Sequence, residues 1–204
     1  AVALQTFLHT GLFITAHDAM HGSVARGHPQ VNRLVGRLTT LLYALFSYEQ
    51  LQAKHADHHA TPVTDTDPDY HNGDHERFWP WYLGFLREYV GFWQIVGMAA
   101  VYNLLHHGLG VELAALNLFW VVPSLLSTLQ LFYFGTYLPH RHPGEGFVDD
   151  HRATSNDFSP TVSFLTCYHF GYHHEHHSHP GVPWWRLPSV RAGGNAHSPP
   201  TSTL

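Results

Sequence analysis

Residues 113–138 read LAALNLFWVVPSLLSTLQLFYFGTYL, 26 residues without a formal charge. A helix of roughly 20 apolar residues crosses the hydrocarbon core of a bilayer, so this stretch predicts a spanning helix. Pro123 lies inside it, where a spanning helix tolerates a kink. Just upstream, residues 89–105 (YVGFWQIVGMAAVYNLL) hold 17 uncharged residues, and only His106 to Glu112 separates the two runs. The pair predicts a helical hairpin through the membrane. Residues 34–48 form a third apolar run, interrupted by Arg37 and only 15 residues long. That is short for a span and predicts an amphipathic helix on the membrane face. Residues 1–16 are apolar from Ala1 onward, with neither a basic lead nor a small-residue cleavage site. They read as the end of a span that begins upstream, not as a signal peptide.

The fold class predicted is therefore all-α: an integral membrane helical bundle over residues 1–190, followed by a polar, disordered tail at 191–204. All ten basic residues, Arg26, Arg33, Arg37, Lys54, Arg77, Arg87, Arg141, Arg152, Arg186 and Arg191, fall outside the hairpin and its link. If 34–48 does not cross, they share one side, which the positive-inside rule makes cytoplasmic. Trp184 and Trp185 suit the headgroup level.

Composition narrows the function. Of 204 residues, 21 are histidine and only 12% are charged, with a formal net charge of −5. Ten basic residues in an acidic chain cannot track a phosphate backbone, which argues against nucleic acid. The mean hydropathy of −0.16 is that of a soluble chain, because polar imidazoles mask the apolar runs. A single cysteine, Cys167, excludes an internal disulfide and a cysteine-based metal site.

The histidines fall in ligand-like boxes. The first is His17-Asp-Ala-Met-His21, the second His55-Ala-Asp-His58-His59, and the third His173-His-Glu-His176-His177. Residues i, i+3 and i+4 share a helix face, so HxxHH offers three imidazoles from one turn. At this histidine content, chance produces HxxHH about 0.2 times per chain; here it occurs twice. Eight imidazoles exceed the three or four that one zinc takes and suit two metals. HExxH chemistry is excluded because Ser178 stands where His174-Glu175 needs a second histidine. If 34–48 does not cross, all three boxes reach one side and can share a site.

Other candidates are weaker. His71 and His75 flank a turn-forming Asn-Gly-Asp, and TDTDPDY at 64–70 reads as a solvated loop. His9 reads as a bundle histidine, His106 and His107 lie at the far end of the hairpin, and His197 is in the tail. His169 lies four residues before His173 and is in reach of the third box. Asp18, Asp57 and Glu175, adjacent to box histidines, either orient imidazoles or make surface ion pairs. Phe13, Met20, Phe132, Phe134 and Phe170 either line a substrate slot or pack the helices.

The motifs FITAHDAMHGSV (13–24), FGTYLPHR (134–141) and LTCYHFGYHHEHHSHPGVPWWRLP (165–188) resemble those of the membrane-bound, histidine-rich di-iron oxygenases. That superfamily includes fatty acid desaturases, and within it the motifs are most similar to the β-carotene ketolases. The resemblance implies a desaturase-like bundle with a cytoplasmic-face site holding two iron ions. It adds His140 as a ninth ligand to His17, His21, His55, His58, His59, His173, His176 and His177. His142 and His151 compete for that place. Thr136 stands where desaturases often carry asparagine, and Asn156 is a remote substitute. The implied activity uses O2 to put a keto group at C4 of a β-ionone ring. Two successive hydroxylations and a dehydration give products of the echinenone and canthaxanthin type. Carotenoid hydroxylation and acyl desaturation are the alternatives within the superfamily; a metal-handling or purely structural membrane protein is the alternative outside it. The chain has neither GxGxxG after a strand nor a P-loop, so electrons come from an external donor of the ferredoxin type. The resemblance places the protein in a bacterial inner membrane or a cyanobacterial membrane, with its carotenoid substrate entering from the bilayer.

Overall fold

The computed structural model describes residues 1–71 and 76–195, the side chains of residues 194 and 195 excepted. Among the described residues the chain is helical, without strands. We number the helices α1 (Val2–Met20), α2 (Pro29–Ala44), α3 (Tyr48–Ala60), α4 (Phe78–Tyr89) and α5 (Phe92–Asn103). A long helix α6 (Leu113–His140) follows, then α7 (Pro160–Cys167), α8 (His173–Ser178) and α9 (Leu187–Asn195).

Among the described residues, α6 is the one helix long and apolar enough to cross a membrane. Its 28 residues extend about 42 Å at 1.5 Å per residue, beyond the roughly 30 Å hydrocarbon core. The ladder widens to π geometry twice, over Asn117–Val121 and Tyr133–Tyr137. A proline follows each widening: Pro123 the first, Pro139 the second. Proline lacks an N–H and crowds the carbonyl four residues back, and the wider turn absorbs both defects. The chain thus meets Pro123 and Pro139 with a change of helical register. The other expected spans are also helical. α1 buries His9, Thr10, His17 and Asp18 along one side, and α5 continues through a π turn at Leu104–Gly108.

The expected helix 34–48 divides in two. α2 starts earlier, at Pro29, and ends at Ala44; Leu45 adopts a left-handed conformation (φ 56°) that stops it. Ser47 then caps α3, its Oγ accepting from the Gln50 N–H. α2 packs along α1, with Tyr43 stacked on His9 at 4.5 Å between centroids. Its polarity is inverted: Asn32, Gly36, Thr40 and Tyr43 are buried, whereas Leu34, Leu38, Leu41 and Leu42 are exposed. Gly36 lets α3 fold back closely, since a Cβ there would sit 2.1 Å from the Tyr48 ring.

The tail from Arg191, expected to be disordered, is helical as far as Asn195. Arg191 holds it by donating to Glu175 Oε1 at 2.9 Å and Asp157 Oδ1 at 2.7 Å. Residues 196–204, His197 among them, lie outside the described residues, as does His75.

Candidate metal centre

The nine candidate ligands gather into two groups where α1, α3, α8 and the end of α6 meet. One holds His17, His21, His55, His59 and His176; the other holds His58, His140, His173 and His177. Within each group the ligand nitrogens all lie within 4.8 Å of one another. Helical periodicity sorts the boxes. In α3 the i, i+4 pair His55 and His59 joins the first group while His58 joins the second. In α8 the i, i+4 pair His173 and His177 joins the second while His176 joins the first. Both helices therefore serve both groups.

Several ring nitrogens face each other in pairs. Nε2 of His21 and His55 stand 2.7 Å apart, of His59 and His176 3.0 Å, of His58 and His177 3.2 Å, and of His173 and His177 3.1 Å. Neighbouring ligands around an octahedral ion with metal–nitrogen bonds near 2.1 Å stand about 3.0 Å apart. Nε2 of His17 and of His140 are buried without a partner. Buried polar atoms are normally satisfied, and a shared cation would satisfy these. Burial, then the charge of neighbouring imidazoles, holds His55, His173, His176 and His177 well below the usual histidine range. They are neutral, the form that binds a metal.

Three of the four rings in the second group, those of His58, His140 and His173, are tied down on their opposite face. His58 Nδ1 lies 2.9 Å from Asp67 Oδ1, both nearly inaccessible to solvent. His140 Nδ1 donates to the Arg152 carbonyl at 2.9 Å, and His173 Nδ1 to the Phe170 carbonyl at 3.3 Å. Such contacts fix the tautomer and leave Nε2 free as the ligand atom. Burial lowers the His58 pKa, but the charge of Asp69 and the bond to Asp67 outweigh it, so its net shift is upward.

These contacts correct the reading of residues 64–70 as a solvated loop. Asp67 is buried, its Oδ2 accepting from Val63 N and its Oδ1 from Asp69 N. Asp69 accepts from the Tyr89 hydroxyl, and its carbonyl accepts from Trp81 Nε1. The acids beside the boxes do other work. Asp18 Oδ2 accepts from Trp184 N while its Oδ1 stands 3.8 Å from His17 Nδ1; Asp57 is exposed; Glu175 pairs with Arg191 and Ser155.

An apolar pocket reaches the centre. Its lining includes His17 and His55 of one group and His58 and His173 of the other. Its walls are mainly apolar: Phe13 and Met20 of α1, Tyr43, Phe46, Leu51, Phe85 and Leu86, Leu131 of α6, and Phe170. Of the five side chains suggested for such a slot, Phe13, Met20 and Phe170 line it. Phe132 is instead packed with Trp81 and Tyr82, and Phe134 against the core around Ile14. The α4 wall was not foreseen. Gly135 also borders the cavity, and a Cβ there would sit 2.0 Å from the Phe170 ring.

A family model described as fatty acid desaturase matches residues 1–108 and 87–200. The chain belongs to the fatty acid desaturase family. Among curated relatives of this desaturase-family chain is a beta-carotene ketolase of a Paracoccus species, 47% identical over 93% of this chain and 77% of its own length. A beta-carotene ketolase of Haematococcus lacustris is 44% identical over 91% of this chain and 59% of its own. A zeaxanthin 4-ketolase of Chlamydomonas reinhardtii is 42% identical over 95% of this chain and 44% of its own. No solved structure matches the chain.

Other described histidines of this desaturase-family chain lie outside the two groups. His142 pairs with Glu76 and contacts the Tyr70 hydroxyl. His151 lies beside His174, which pairs with Asp149. His169 stacks on Tyr172, and His106 Nδ1 donates to the Val111 carbonyl at the far end of α5. Asn156 packs against Gly171 and accepts from Phe158 N. None of these belongs to either group.

Proposed function

We propose that the protein is an O2-dependent di-iron oxygenase that introduces a keto group at C4 of the β-ionone ring of β-carotene. The observation that carries this is the apolar cavity whose lining includes histidines of both groups. A metal-storage or metal-transfer protein has no use for such a cavity, and an apolar substrate requires one. Ketolase relatives along nearly the whole chain support the same reading.

His17, His21, His55, His59 and His176 would hold one iron, and His58, His140, His173 and His177 the other. Bound there, the iron pair supplies O2 activation and insertion of oxygen into an allylic C–H bond. The protein supplies everything else. Asp67 and the carbonyls of Arg152 and Phe170 fix the His58, His140 and His173 rings. Phe13, Met20, Leu131 and Phe170 exclude water and enclose the ring. A carotenoid is as apolar as a lipid tail, so it enters laterally from the bilayer spanned by α6. The charge distribution supports a site on the cytoplasmic face. The second hydroxylation at C4 yields a geminal diol, which loses water to give the ketone.

Electrons come from a ferredoxin-type donor docking on that face. Of the basic residues on that side, Lys54 is paired with Glu88, Arg141 stacks on Tyr137, and Arg152 donates to the Val63 carbonyl. Arg77 is exposed.

Expression of the protein in a β-carotene-producing bacterium, followed by mass analysis of the pigments, tests the reading. The expected product carries the mass change of CH2 to C=O on one or both rings. Hydroxylated carotene alone, or unchanged carotene with new double bonds in the lipids, overturns it.

A further inference from the structure

Besides its histidines, the cavity wall contributes five polar side chains: Tyr43, Asp69, Tyr89, Thr128 and Thr136. Four are committed. Tyr43 is bonded to Ser127, Thr128 to Tyr82 and the Leu125 carbonyl, and Asp69 and Tyr89 to each other. Thr136 has no such partner, although the residue is only 4% exposed. Its isolation is unusual for this chain. Thr6, Thr15, Thr39 and Thr166 each donate to the carbonyl four residues back, the common fate of a helical threonine. Thr136 lies in the π turn Tyr133–Tyr137, where that local bond is not made. Its hydroxyl is an unused donor and acceptor in an apolar cavity, one helical turn before His140.

The proposed reaction gives such a group a task. Its first stage consumes O2, two electrons from the ferredoxin-type donor and two protons, converting C4–H to C4–OH and releasing water. The alcohol is then a polar group in an apolar cavity, and burying a hydroxyl without a partner is unfavourable. Unless something holds it, the half-oxidised ring leaves before the second stage. That stage has the same balance and converts C4–OH to the geminal diol, which loses water to the ketone.

We infer that Thr136 is a substrate-binding residue that hydrogen-bonds the C4 hydroxyl of the half-oxidised ring and retains it for the second oxidation. Thr136 thereby sets the ratio of ketone to alcohol. The inference rests on the ketolase reading and deepens it.

The test compares T136V, which keeps the shape and removes the hydroxyl, with T136S, which keeps the hydroxyl. Each full-length protein is produced in the β-carotene-forming host, and iron content and both pigments are measured. The expected result is about a tenfold rise in the ratio of 4-hydroxy to 4-keto product for T136V, the factor for one lost hydrogen bond. T136S is expected to stay near wild type, with unchanged iron in both. A binding measurement free of turnover accompanies it: quenching of tryptophan fluorescence by 4-hydroxylated and by unsubstituted carotenoid. T136V should weaken the first about tenfold and leave the second unchanged. An unchanged product ratio in T136V overturns the inference, as does loss of both products together, or a T136S variant that behaves like T136V. Should the wild type form no oxygenated carotenoid at all, the ketolase reading fails instead; the fluorescence comparison then still decides whether Thr136 binds a ring hydroxyl.

Discussion

Nδ1 of His58 lies 2.9 Å from Oδ1 of Asp67, nine residues further along the chain, with both side chains 1% exposed. A buried carboxylate holding an imidazole raises the basicity of its ligand nitrogen and fixes its direction. Asp67→Asn removes the charge and turns an amide toward the Val63 N–H, which Oδ2 now accepts. Ten- to hundredfold weaker iron binding in one of two sites is expected, the usual cost of losing such a partner. Iron per chain, titrated against a competing chelator, measures it. Unchanged affinity at both sites would mean that Asp67 only shapes its loop.

The division of the histidines predicts a stoichiometry. Wild type should bind two irons per chain, and the single variants His140→Ala and His21→Ala should each lose chiefly one, from different groups. Metal analysis of the purified proteins reads this directly. A common loss of both irons in each variant would argue for one undivided centre.

Filling the cavity should separate catalysis from metal binding. Leu86→Trp adds bulk to the α4 wall without touching a candidate ligand. Ketone formation is expected to fall at least about tenfold, the lower range for a lost apolar fit, with iron content unaltered. Full activity would place the substrate elsewhere.

Gly135 makes a sharper probe. A methyl group there meets the Phe170 ring, and Phe170 in turn stands 4.8 Å from His17 and 5.2 Å from His173 between ring centroids. Gly135→Ala must displace that ring toward the cavity or the ligands. Lower stability by about 1–3 kcal/mol, typical of overpacking, and reduced product are expected. Thermal unfolding in detergent checks the first and pigment analysis the second. A variant as stable and active as wild type would show that Phe170 has room to yield.

Arg191 tests the C-terminal helix. Its guanidinium joins Glu175 of α8 to α9 and stacks over Tyr172 at 4.8 Å. Arg191→Ala leaves Glu175 short of a charge partner and should cost about 2 kcal/mol, the range for hydrogen bonds to charged groups. A midpoint lowered by several degrees is the expected reading. No shift would make α9 dispensable.

The histidine boxes were legible because their information is local: i, i+3 and i+4 on one turn bring rings together in any helix. The long apolar run of α6 was legible for the same reason, since length and lack of charge need no partner to be seen. What could not be read depends on chain closure. Asp67 looks like any loop acid until the turn at residues 61–70 folds back over His58. The α4 wall has no motif, only aromatic residues whose partners are remote. Asp18 and Glu175 sit beside box histidines in sequence, yet on a helix neighbours in sequence point apart. Their hydrogen bonds go to Trp184 N and Arg191. Residues 34–48 were ambiguous because inverted polarity and amphipathic polarity have the same period. Arg191 looked like tail because its anchor, Glu175, lies on another element.

The interleaving of α3 and α8 has a further consequence. Each of these two short helices gives ligands to both groups, so the separation between the groups is written in the pitch of a helix rather than in the length of any loop. Connections elsewhere can lengthen, shorten or change sequence without altering that gauge. Sliding either helix by one residue, however, would misalign both groups at once.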